Sequence, residues 1–199
     1  MKLWHIRLFL FAAYLIARPV CVYSDENWLQ FKYDCRHSGN APERSLNTPL
    51  GLVGAVPLTD AIFTAPVVAG GRIYVVDGAG VAFCLDAATL RVDWKFPSGG
   101  GKANCNNVSS PAIAEGYLHF GTMAGSNMDI YDLSDVDNVK LVSSGPRLDP
   151  SECVGSVISN GRVFYTCHGG GLQACQVCGT ETASIGSPWQ NMTYEEAAR

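Results

Sequence analysis

Short apolar segments joined by glycine-containing turns recur along the middle of the chain at a constant spacing. The matching segment pairs cover residues 65–75, 110–120 and 155–165. Their turn glycines, Gly71, Gly116 and Gly161, lie 45 residues apart. A period of this size combined with strand signals is typical of the blades of a β-propeller. The pattern therefore predicts an all-β propeller of four-stranded blades. About three blades are present and the ring is incomplete, because closed rings use roughly four to eight.

The best-preserved unit, Thr64 to Phe96, divides into four short strands separated by turn signals. We expect its strands near residues 65–69, 72–76, 81–85 and 91–96. In the third turn, Asp86 and Thr89 can form hydrogen bonds with the turn backbone. The second strand carries apolar side chains on both faces. This predicts a sheet that is covered on both sides by neighbouring sheets around an axis.

The repeats imply a division of the chain into four parts. We predict a signal peptide at residues 1–24, a lead-in segment with an opening strand at 25–60, three propeller repeats at 61–182 and an inter-blade connection at 183–199. Within the lead-in, residues 50–58 form an apolar, β-compatible stretch whose Pro57 suits an edge or a strand end. A fourth unit would open just past residue 199, so we expect a truncated or partial ring.

The N-terminus has the features of a secretory signal. Lys2 and Arg7 precede an apolar run of ten residues, Leu8 to Ala17, and Val22-Tyr23-Ser24 offers small or apolar residues before a cut at Asp25. Because about 20 apolar residues are needed to span a bilayer, we favour cleavage over an uncleaved anchor, and a secreted or periplasmic location. Cleavage would change the formal net charge from −4 to −7. It would leave no stable membrane anchor, and the acidic charge argues against nucleic acid as a partner.

Seven of the eight cysteines lie beyond the predicted cleavage site. Export permits disulfides, and the odd number leaves at least one thiol unpaired within the chain. The most suggestive cluster consists of Cys167, His168, Cys175 and Cys178. Thiolates and an imidazole can bind zinc, but no second CxxC pair accompanies them, so a disulfide or plain packing is favoured and we assign no metal site. Cys175 also occupies the apolar third-strand position that Leu85 fills in the first unit.

Other candidate sites have structural explanations. His119 could act as a base, but it occupies the second-strand position of Tyr74 and Phe164, which favours packing. The run Gly99-Gly100-Gly101-Lys102 lacks the pattern of a phosphate loop and suits a connection between blades. Cys178-Gly179 lacks the histidine of a haem attachment site. We therefore assign no catalytic residue, and no cofactor is evident from the sequence.

Several motifs resemble the pyrroloquinoline-quinone (PQQ)-type β-propeller repeats. The run from Leu85 to Thr89, followed by Trp94, is similar to the AxDxxTGxxxW repeat of that family, although Leu90 replaces its glycine. The stretch from Trp28 to Asp34, with Ser38-Gly39, resembles the strand that often precedes the first blade. The resemblance covers residues 28 to 182. It implies structural roles, in turns and in blade docking, for Asp86, Thr89, Trp94 and the three turn glycines.

The PQQ-type propeller family that these motifs resemble includes quinoprotein alcohol dehydrogenases and non-enzymatic assembly propellers. Quinone-binding members use a vicinal Cys-Cys pair and a metal set of Glu, Asn and Asp, and neither is recognisable in this sequence. We therefore expect a binding or assembly scaffold. Its protein or small-molecule ligand would lie in the axial funnel, near the loops at residues 77–80, 122–128 and 167–171. The alternative is the N-terminal part of a periplasmic PQQ-dependent dehydrogenase, with PQQ and Ca²⁺ as cofactors and its active-site blades beyond residue 199.

Overall fold

The computed structural model describes residues 27–98, 108–122, 128–144, 153–167, 172–178 and 182–183, which form three four-stranded antiparallel sheets and no helix. The first sheet comprises β1 (Val67–Ala69), β2 (Arg72–Val76), β3 (Val81–Asp86) and β4 (Val92–Pro97). The second comprises β5 (Ala112–Ala114), β6 (Tyr117–Gly121), β7 (Met128–Asp132) and β8 (Lys140–Ser144). The third comprises β9 (Cys153–Ser159), β10 (Arg162–Cys167), β11 (Leu172–Gln176) and β12 (Thr182–Ala183).

Each sheet is a meander in which strands adjacent in sequence are hydrogen-bonded neighbours. The predicted all-β propeller with about three four-stranded blades is confirmed, and the sheets are numbered here as blades 1 to 3. In blade 1, β1 begins at Val67 rather than at residue 65. The reason is that Pro66 has no N–H for a ladder. The N–H of Ala65 instead donates to Ser110 Oγ in blade 2 at 2.9 Å.

The first hairpin of every blade closes with the same two-residue turn. Both turn residues have positive φ in each case: Gly70 and Gly71, Glu115 and Gly116, and Asn160 and Gly161. This combination defines the type I′ turn, whose twist matches that of the flanking strands and which favours glycine and asparagine. The constant spacing of the turn glycines therefore marks one backbone conformation used three times.

Side chains of blade 2 alternate between the two neighbouring blades. Leu118 and Phe120 of β6 join the core that blade 2 shares with blade 1. Met128 and Ile130 of β7 pack instead with Val163 and other residues of blade 3. These five side chains are at most 1% exposed. Because each such burial contributes about 1.5–3 kcal/mol, apolar contact between blade faces is the main force that holds the stack together.

The lead-in covers the face of blade 1 that is turned away from blade 2. Val56 and Leu58 pack there against a buried cluster of Val75, Phe83 and Leu85. Contrary to the β-compatible pattern, residues 50–58 form no strand. Pro57 removes a ladder donor, and glycines at residues 51 and 54 weaken any pairing. The predicted opening strand is likewise reduced to a single antiparallel bridge between Trp28 and Val68.

The predicted signal peptide and most of the predicted C-terminal connection lie outside the described residues. The signal peptide is predicted at residues 1–24. The connection lies outside from residue 184 onward, while residue 183 still belongs to β12. In the part of the chain that the structure describes, no helix is long and apolar enough to cross a membrane.

Candidate functional site

Lead-in residues 28–30 contact the first strand of every blade. Trp28 exchanges two backbone hydrogen bonds with Val68 of β1, with N···O distances of 2.8 and 2.9 Å. The next carbonyl, that of Leu29, accepts a hydrogen bond from the N–H of Ile113 in β5 at 2.7 Å. The chain thus crosses from blade 1 to blade 2 within one residue. We call residues 28–30 the clasp.

Gln30 carries the clasp to blade 3 through its side chain. Its Oε1 accepts a hydrogen bond from the N–H of Ile158 at 2.9 Å, and its Nε2 donates to the carbonyl of Ile158 at 3.3 Å. The three residues that the clasp binds occupy equivalent positions, 45 residues apart: Val68, Ile113 and Ile158. Three consecutive residues at the start of the fold therefore bind equivalent positions of the three blades.

An open cleft of about 600 Å³ lies beside the clasp, between the lead-in and blade 1. The lead-in lines it with Trp28, Phe31, Lys32 and Arg44, and blade 1 contributes Pro66, Val68 and Ile73. Apolar side chains form most of this lining. Small-molecule sites have volumes of about 300–1,000 Å³ and similarly apolar walls with a few polar groups. This cleft is the candidate binding site of the described chain.

Two cations at the cleft lie over aromatic rings of the lead-in. Lys32 Nζ is 5.5 Å from the ring centroid of Phe31, and Arg44 Cζ is 5.7 Å from that of Tyr33. Arg44 also donates a hydrogen bond to the carbonyl of Asn27 at 2.9 Å. Each cation–π contact is worth about 0.5–1 kcal/mol at an exposed position. These contacts restrict where the two positive charges can be.

The backbone that carries these side chains is strained. Lys32, Tyr33 and His37 have φ of 55°, 79° and 53°, a region that residues other than glycine seldom occupy. Asp34 braces the segment, because its carboxylate accepts hydrogen bonds from the N–H and the hydroxyl of Ser38 at 2.9 and 2.8 Å. The same bonds from Ser38 hold the pKa of Asp34 below its usual range. Strain of this kind persists only where surrounding contacts fix it, and it clusters at ligand sites.

The predicted blade motif lies in the turn between β3 and β4. Asp86 Oδ1 accepts hydrogen bonds from the hydroxyl and the N–H of Thr89, at 2.8 and 2.7 Å, and from the N–H of Ala88 at 3.1 Å. These bonds, that of the Thr89 hydroxyl first, lower the pKa of Asp86. Leu90, where the family repeat has glycine, adopts φ of 59°. The polar groups of this turn are engaged with its own backbone.

Trp94 begins an aromatic series that runs from blade 1 into blade 2. Its ring stacks on Phe96 with centroids 5.2 Å apart, Phe96 lies 4.8 Å from Tyr131, and Tyr131 stacks on Phe120 at 5.4 Å. In blade 2, Ser143 stands at the register position that Trp94 holds in blade 1. We therefore propose that Trp94 docks the first blade onto the second.

His119 connects blade 2 to blade 3. Its ring is fully buried, and Nε2 lies 2.7 Å from the carbonyl oxygen of Val177. Burial lowers the pKa of His119, and the hydrogen bond to Val177 acts in the opposite direction. His119 pairs with Ala112 in the register that Tyr74 makes with Val67. It therefore occupies the ring position of the repeat, in a neutral form that donates to the next blade.

The buried cysteines belong to the blade cores. Cys84 and Cys175 are 0% and 2% exposed, and burial raises the pKa of these thiols to about 12 and about 11. Cys175 faces Val163 in the same register in which Leu85 faces Ile73. A thiol held in its protonated form inside an apolar core is a poor nucleophile and a poor metal ligand.

Of the candidate cluster Cys167, His168, Cys175 and Cys178, to which we assign no metal, only Cys175 and Cys178 have described side chains. Cys178 Sγ lies 3.9 Å from Gln176 Oε1, and His168 lies outside the described residues. The backbone of Cys167 in β10 is paired with that of Cys153 in β9. Strand β9 lies on the opposite side of β10 from β11. Among the described residues, no three His, Cys, Asp or Glu side chains are grouped as metal ligands.

Of the three predicted funnel loops, the one at residues 77–80 is described in full. Asp77 is fully buried, and its carboxylate accepts hydrogen bonds from the Thr59 hydroxyl and from the N–H of Val81 at 2.9 Å. The hydroxyl of Ser98 donates to the carbonyl of Gly80 at 2.6 Å. These groups stabilise the turn and the lead-in beside it. Residues 123–127 and 168–171 of the other two loops lie outside the described residues.

The fold and the repeated turns define a PQQ-type β-propeller repeat protein, as the sequence motifs predicted. The family model described as outer membrane protein assembly factor BamB matches residues 55–191, which is more than half of the chain. The chain belongs to this family. None of the curated proteins matches it.

Solved structures with the same fold include enzymes and an assembly factor. The chain is similar to quinohemoprotein alcohol dehydrogenase ADHIIG from Pseudomonas putida HK5, with 18% identity, a TM-score of 0.61 and 79% of the chain covered. For the quinohemoprotein alcohol dehydrogenase from Comamonas testosteroni, the values are 17%, 0.58 and 78%. For BamB from Moraxella catarrhalis they are 14%, 0.50 and 64%. The chain spans 26% of the length of each dehydrogenase and 37% of that BamB.

The structure also brings together residues that sequence reasoning did not single out. No sequence pattern distinguishes Gln30 as a contact residue. Lys32 and Arg44 lie in segments whose composition predicts only a lead-in and a loop. One signal was available: Val68, Ile113 and Ile158 are equivalent and apolar, which could have indicated a common partner. That partner is a single short segment, and the repeat pattern carries no information about it.

Proposed function

We propose that this chain is an exported binding or assembly scaffold that docks a partner protein on an apolar surface at the end of its lead-in and the start of the first repeat. That surface, the apolar lead-in patch, consists of Leu50, Leu52, Val53, Ile62 and Phe63, which are between 53% and 91% exposed. Large apolar side chains that are this exposed and lie this close together in the sequence favour a protein interaction site. The patch is the observation that carries the proposal, and membership of a family described as an assembly factor supports it.

The patch stands on a fixed base rather than on a loose loop. Val56 and Leu58, between its two halves, pack on the buried cluster of blade 1. The backbone at Gly54 lies close to the turn between β3 and β4, so that a Cβ added at Gly54 would come within 2.6 Å of Leu90 Cδ1. Because the segment is held at residues 54, 56 and 58, the exposed side chains beside them need less ordering when a partner binds.

A photo-crosslinking amino acid placed in the full-length protein in its host tests this proposal. With the crosslinker at Val53, we expect one discrete crosslinked protein. Leu141, an apolar β8 residue that is 52% exposed, is the matched control position and should give no such product. Adding Leu52→Asp should remove the Val53 crosslink while leaving the thermal unfolding midpoint unchanged, because Leu52 is 89% exposed. Equal crosslinking from Val53 and Leu141 would contradict the scaffold proposal.

The second candidate function is the N-terminal part of a PQQ-dependent dehydrogenase, favoured by the fold shared with two quinohemoprotein alcohol dehydrogenases. On this proposal, the patch would be covered by a further blade of the same ring. We assign no quinone or Ca²⁺ ligand among the described residues. The test is oxidation of alcohols and aldoses by the full-length protein supplied with PQQ and Ca²⁺. Turnover would support the dehydrogenase, and a Val53 crosslink within the same polypeptide would point the same way.

A further inference from the structure

The segment at residues 50–58, which carries three residues of the apolar lead-in patch, has unpaired backbone groups. No backbone N–H or carbonyl of this segment forms a hydrogen bond with the rest of the described chain. The backbone makes no turn or bend there, and none of its residues has a positive φ. Pro49 and Pro57 bracket seven residues, 50–56, that keep their N–H groups. The segment therefore has the form of a strand without a neighbour.

Exposure alternates at the end of the segment as it does along a strand. Val56 and Leu58 are half-buried against blade 1, and Pro57 between them is exposed. Successive side chains of a strand point to opposite faces, while its N–H and carbonyl groups point sideways toward neighbouring strands. Further up the segment, a Cβ added at Gly51 would meet no atom within 4 Å. Blade 1 thus supports one face of the segment and leaves room for a strand beside it.

We propose that the partner protein pairs an extended, uncharged segment of its own with residues 50–56 by strand addition. This inference rests on the proposed scaffold function, since it specifies how the partner covers the apolar lead-in patch. A partner that buried Leu52 and Val53 would also bury the backbone groups between them, and each buried group without a hydrogen bond weakens binding. A strand supplies hydrogen-bond partners and apolar side chains together, at matching spacing.

The composition of the segment selects the kind of strand that fits. Residues 45–59 contain no Asp, Glu, Lys, Arg or His. A charged side chain buried against them would lose its hydration without gaining an ion pair from the segment. A second copy is a poorer match than a different protein, because its own segment carries Gly51 and Gly54, which weaken strand pairing. The partner segment should therefore be rich in uncharged β-branched or aromatic residues.

Crosslink mapping on the full-length protein in its host tests the pairing. The photo-crosslinking amino acid is placed at Leu50 in one variant and at Ala55 in another, both exposed positions, and the attached partner residues are identified by mass spectrometry. Paired strands both advance by about 3.3 Å per residue. The two positions should therefore reach partner residues about five apart in one continuous segment. Docking through side chains alone would give attachment sites unrelated to this spacing.

Proline substitution tests the backbone hydrogen bonds themselves, with the crosslinker kept at Val53. Alternate residues of a strand direct their N–H groups to opposite edges. Only one of two sets should therefore matter: either Gly51→Pro and Ala55→Pro, or Leu50→Pro and Leu52→Pro. In the set that faces the partner, each variant should lower the yield of the Val53 crosslink about fivefold or more, because a carbonyl of the partner loses its donor.

Alanine at the same positions is the matched control, because alanine keeps the N–H. Gly51, Leu50 and Leu52 are each compared as proline and as alanine, and the unmodified protein is the control for Ala55. This comparison removes the effect of a changed side chain. Neither substitution should shift the thermal unfolding midpoint, since these exposed residues form no backbone hydrogen bond within the described chain. Circular dichroism melting of each variant verifies folding.

The outcomes separate this inference from the scaffold proposal. A Val53 crosslink that proline weakens in one set only, with evenly spaced attachment sites on the partner, supports strand addition. A Val53 crosslink that responds equally to both sets, or attachment sites scattered over the partner, overturns strand addition and leaves the scaffold standing. Attachment to a second copy or within the same polypeptide overturns the choice of a different protein. Absence of a Val53 crosslink in the unmodified protein overturns both proposals.

Discussion

Gln30 and Ile158 are 128 residues apart in the chain, and the side-chain amide of Gln30 pairs with the backbone N–H and carbonyl of Ile158. The amide oxygen of Gln30 accepts from the N–H of Ile158, and the amide nitrogen donates to its carbonyl. The side chain thus imitates the backbone of a neighbouring strand. Because Trp28 and Leu29 hold blades 1 and 2 by their backbones, this one side chain extends the same segment to blade 3.

Gln30→Ala should destabilise the protein by about 1–3 kcal/mol, because it leaves the N–H and carbonyl of Ile158 without the partner they have in a largely buried position. Chemical denaturation, followed by circular dichroism, measures the change in the free energy of unfolding. Asn40→Ala, an exposed substitution in the same lead-in, is the control and should stay within about 0.5 kcal/mol of the unmodified protein. A Gln30→Ala variant as stable as the control would show that the pairing is not formed in solution.

The hairpin turn of blade 2 should respond to substitution at Glu115. This residue adopts φ of 51°, in a turn position that holds Gly70 in blade 1 and Asn160 in blade 3. Since the left-handed region costs an ordinary residue about 1–2 kcal/mol, Glu115→Asn should raise the free energy of unfolding by about 1 kcal/mol. Thermal and chemical denaturation would measure it.

Gly116, the other residue of this turn, allows a substitution that should lower the free energy of unfolding. A Cβ added at Gly116 would meet no atom within 4 Å, so any cost of Gly116→Ala comes from its φ of 81° and not from a clash. We expect a loss of about 1–2 kcal/mol. If Glu115→Asn is neutral while Gly116→Ala is costly, the turn is type I′ but the strain at Glu115 is relieved in another way.

The blades could be predicted from the sequence because they depend on local patterns. Gly71 and its counterparts mark turns that need positive φ, and the apolar faces of strands such as β2 follow from alternation. Cys175 could be placed in the core for the same reason. The clasp and the cleft could not be predicted, since the clasp joins Gln30 to Ile158 and the cleft is lined by both Arg44 of the lead-in and Val68 of blade 1. Such contacts depend on how the blades stack, and no local pattern encodes the stacking of a lead-in on them.

Stability should fall with acidification in two separate windows. Burial holds the pKa of His119 below its ordinary value of about 6.5. The folded state therefore binds fewer protons than the unfolded state between these values, and stability declines as pH drops below about 6.5. Asp34, Asp86 and Asp132 have lowered pKa values, so they contribute stability above the unfolded value of about 3.9 that is lost as pH falls further.

Substitution of His119 isolates the loss of stability that begins below about pH 6.5. His119→Phe places at this position the ring that Phe164 supplies in blade 3, and it should reduce the loss of stability between pH 7.5 and pH 5.5. The exposed Asn40→Ala, which removes no titratable group, is the control and should keep the full loss. Urea denaturation at both pH values gives the difference for each variant. If the His119→Phe protein keeps the full loss, another group titrates in this range.

Cys153 and Cys167 should form a disulfide when the protein is exported. Their backbones are directly opposed in the β9–β10 pair. Opposed residues of an antiparallel pair have Cα atoms about 4.5–5.5 Å apart, within the range that a disulfide spans. Oxidation removes two protons and two electrons from the thiols, and a dithiol–disulfide oxidant of the exported compartment would accept the electrons. Cys84 and Cys175 should remain reduced, because burial raises the pKa of both thiols and the thiolate is the reactive form.

Differential alkylation of protein purified from its native compartment tests this pairing. One reagent is applied in denaturant before reduction and a second, of different mass, after it. We expect the second label on Cys153 and Cys167 and the first on Cys84 and Cys175. In a Cys153→Ser variant, Cys167 should take the first label, because its partner is gone. The first label on Cys167 in the unmodified protein, or the second label on it in the variant, would mean that Cys167 is reduced or pairs with another cysteine.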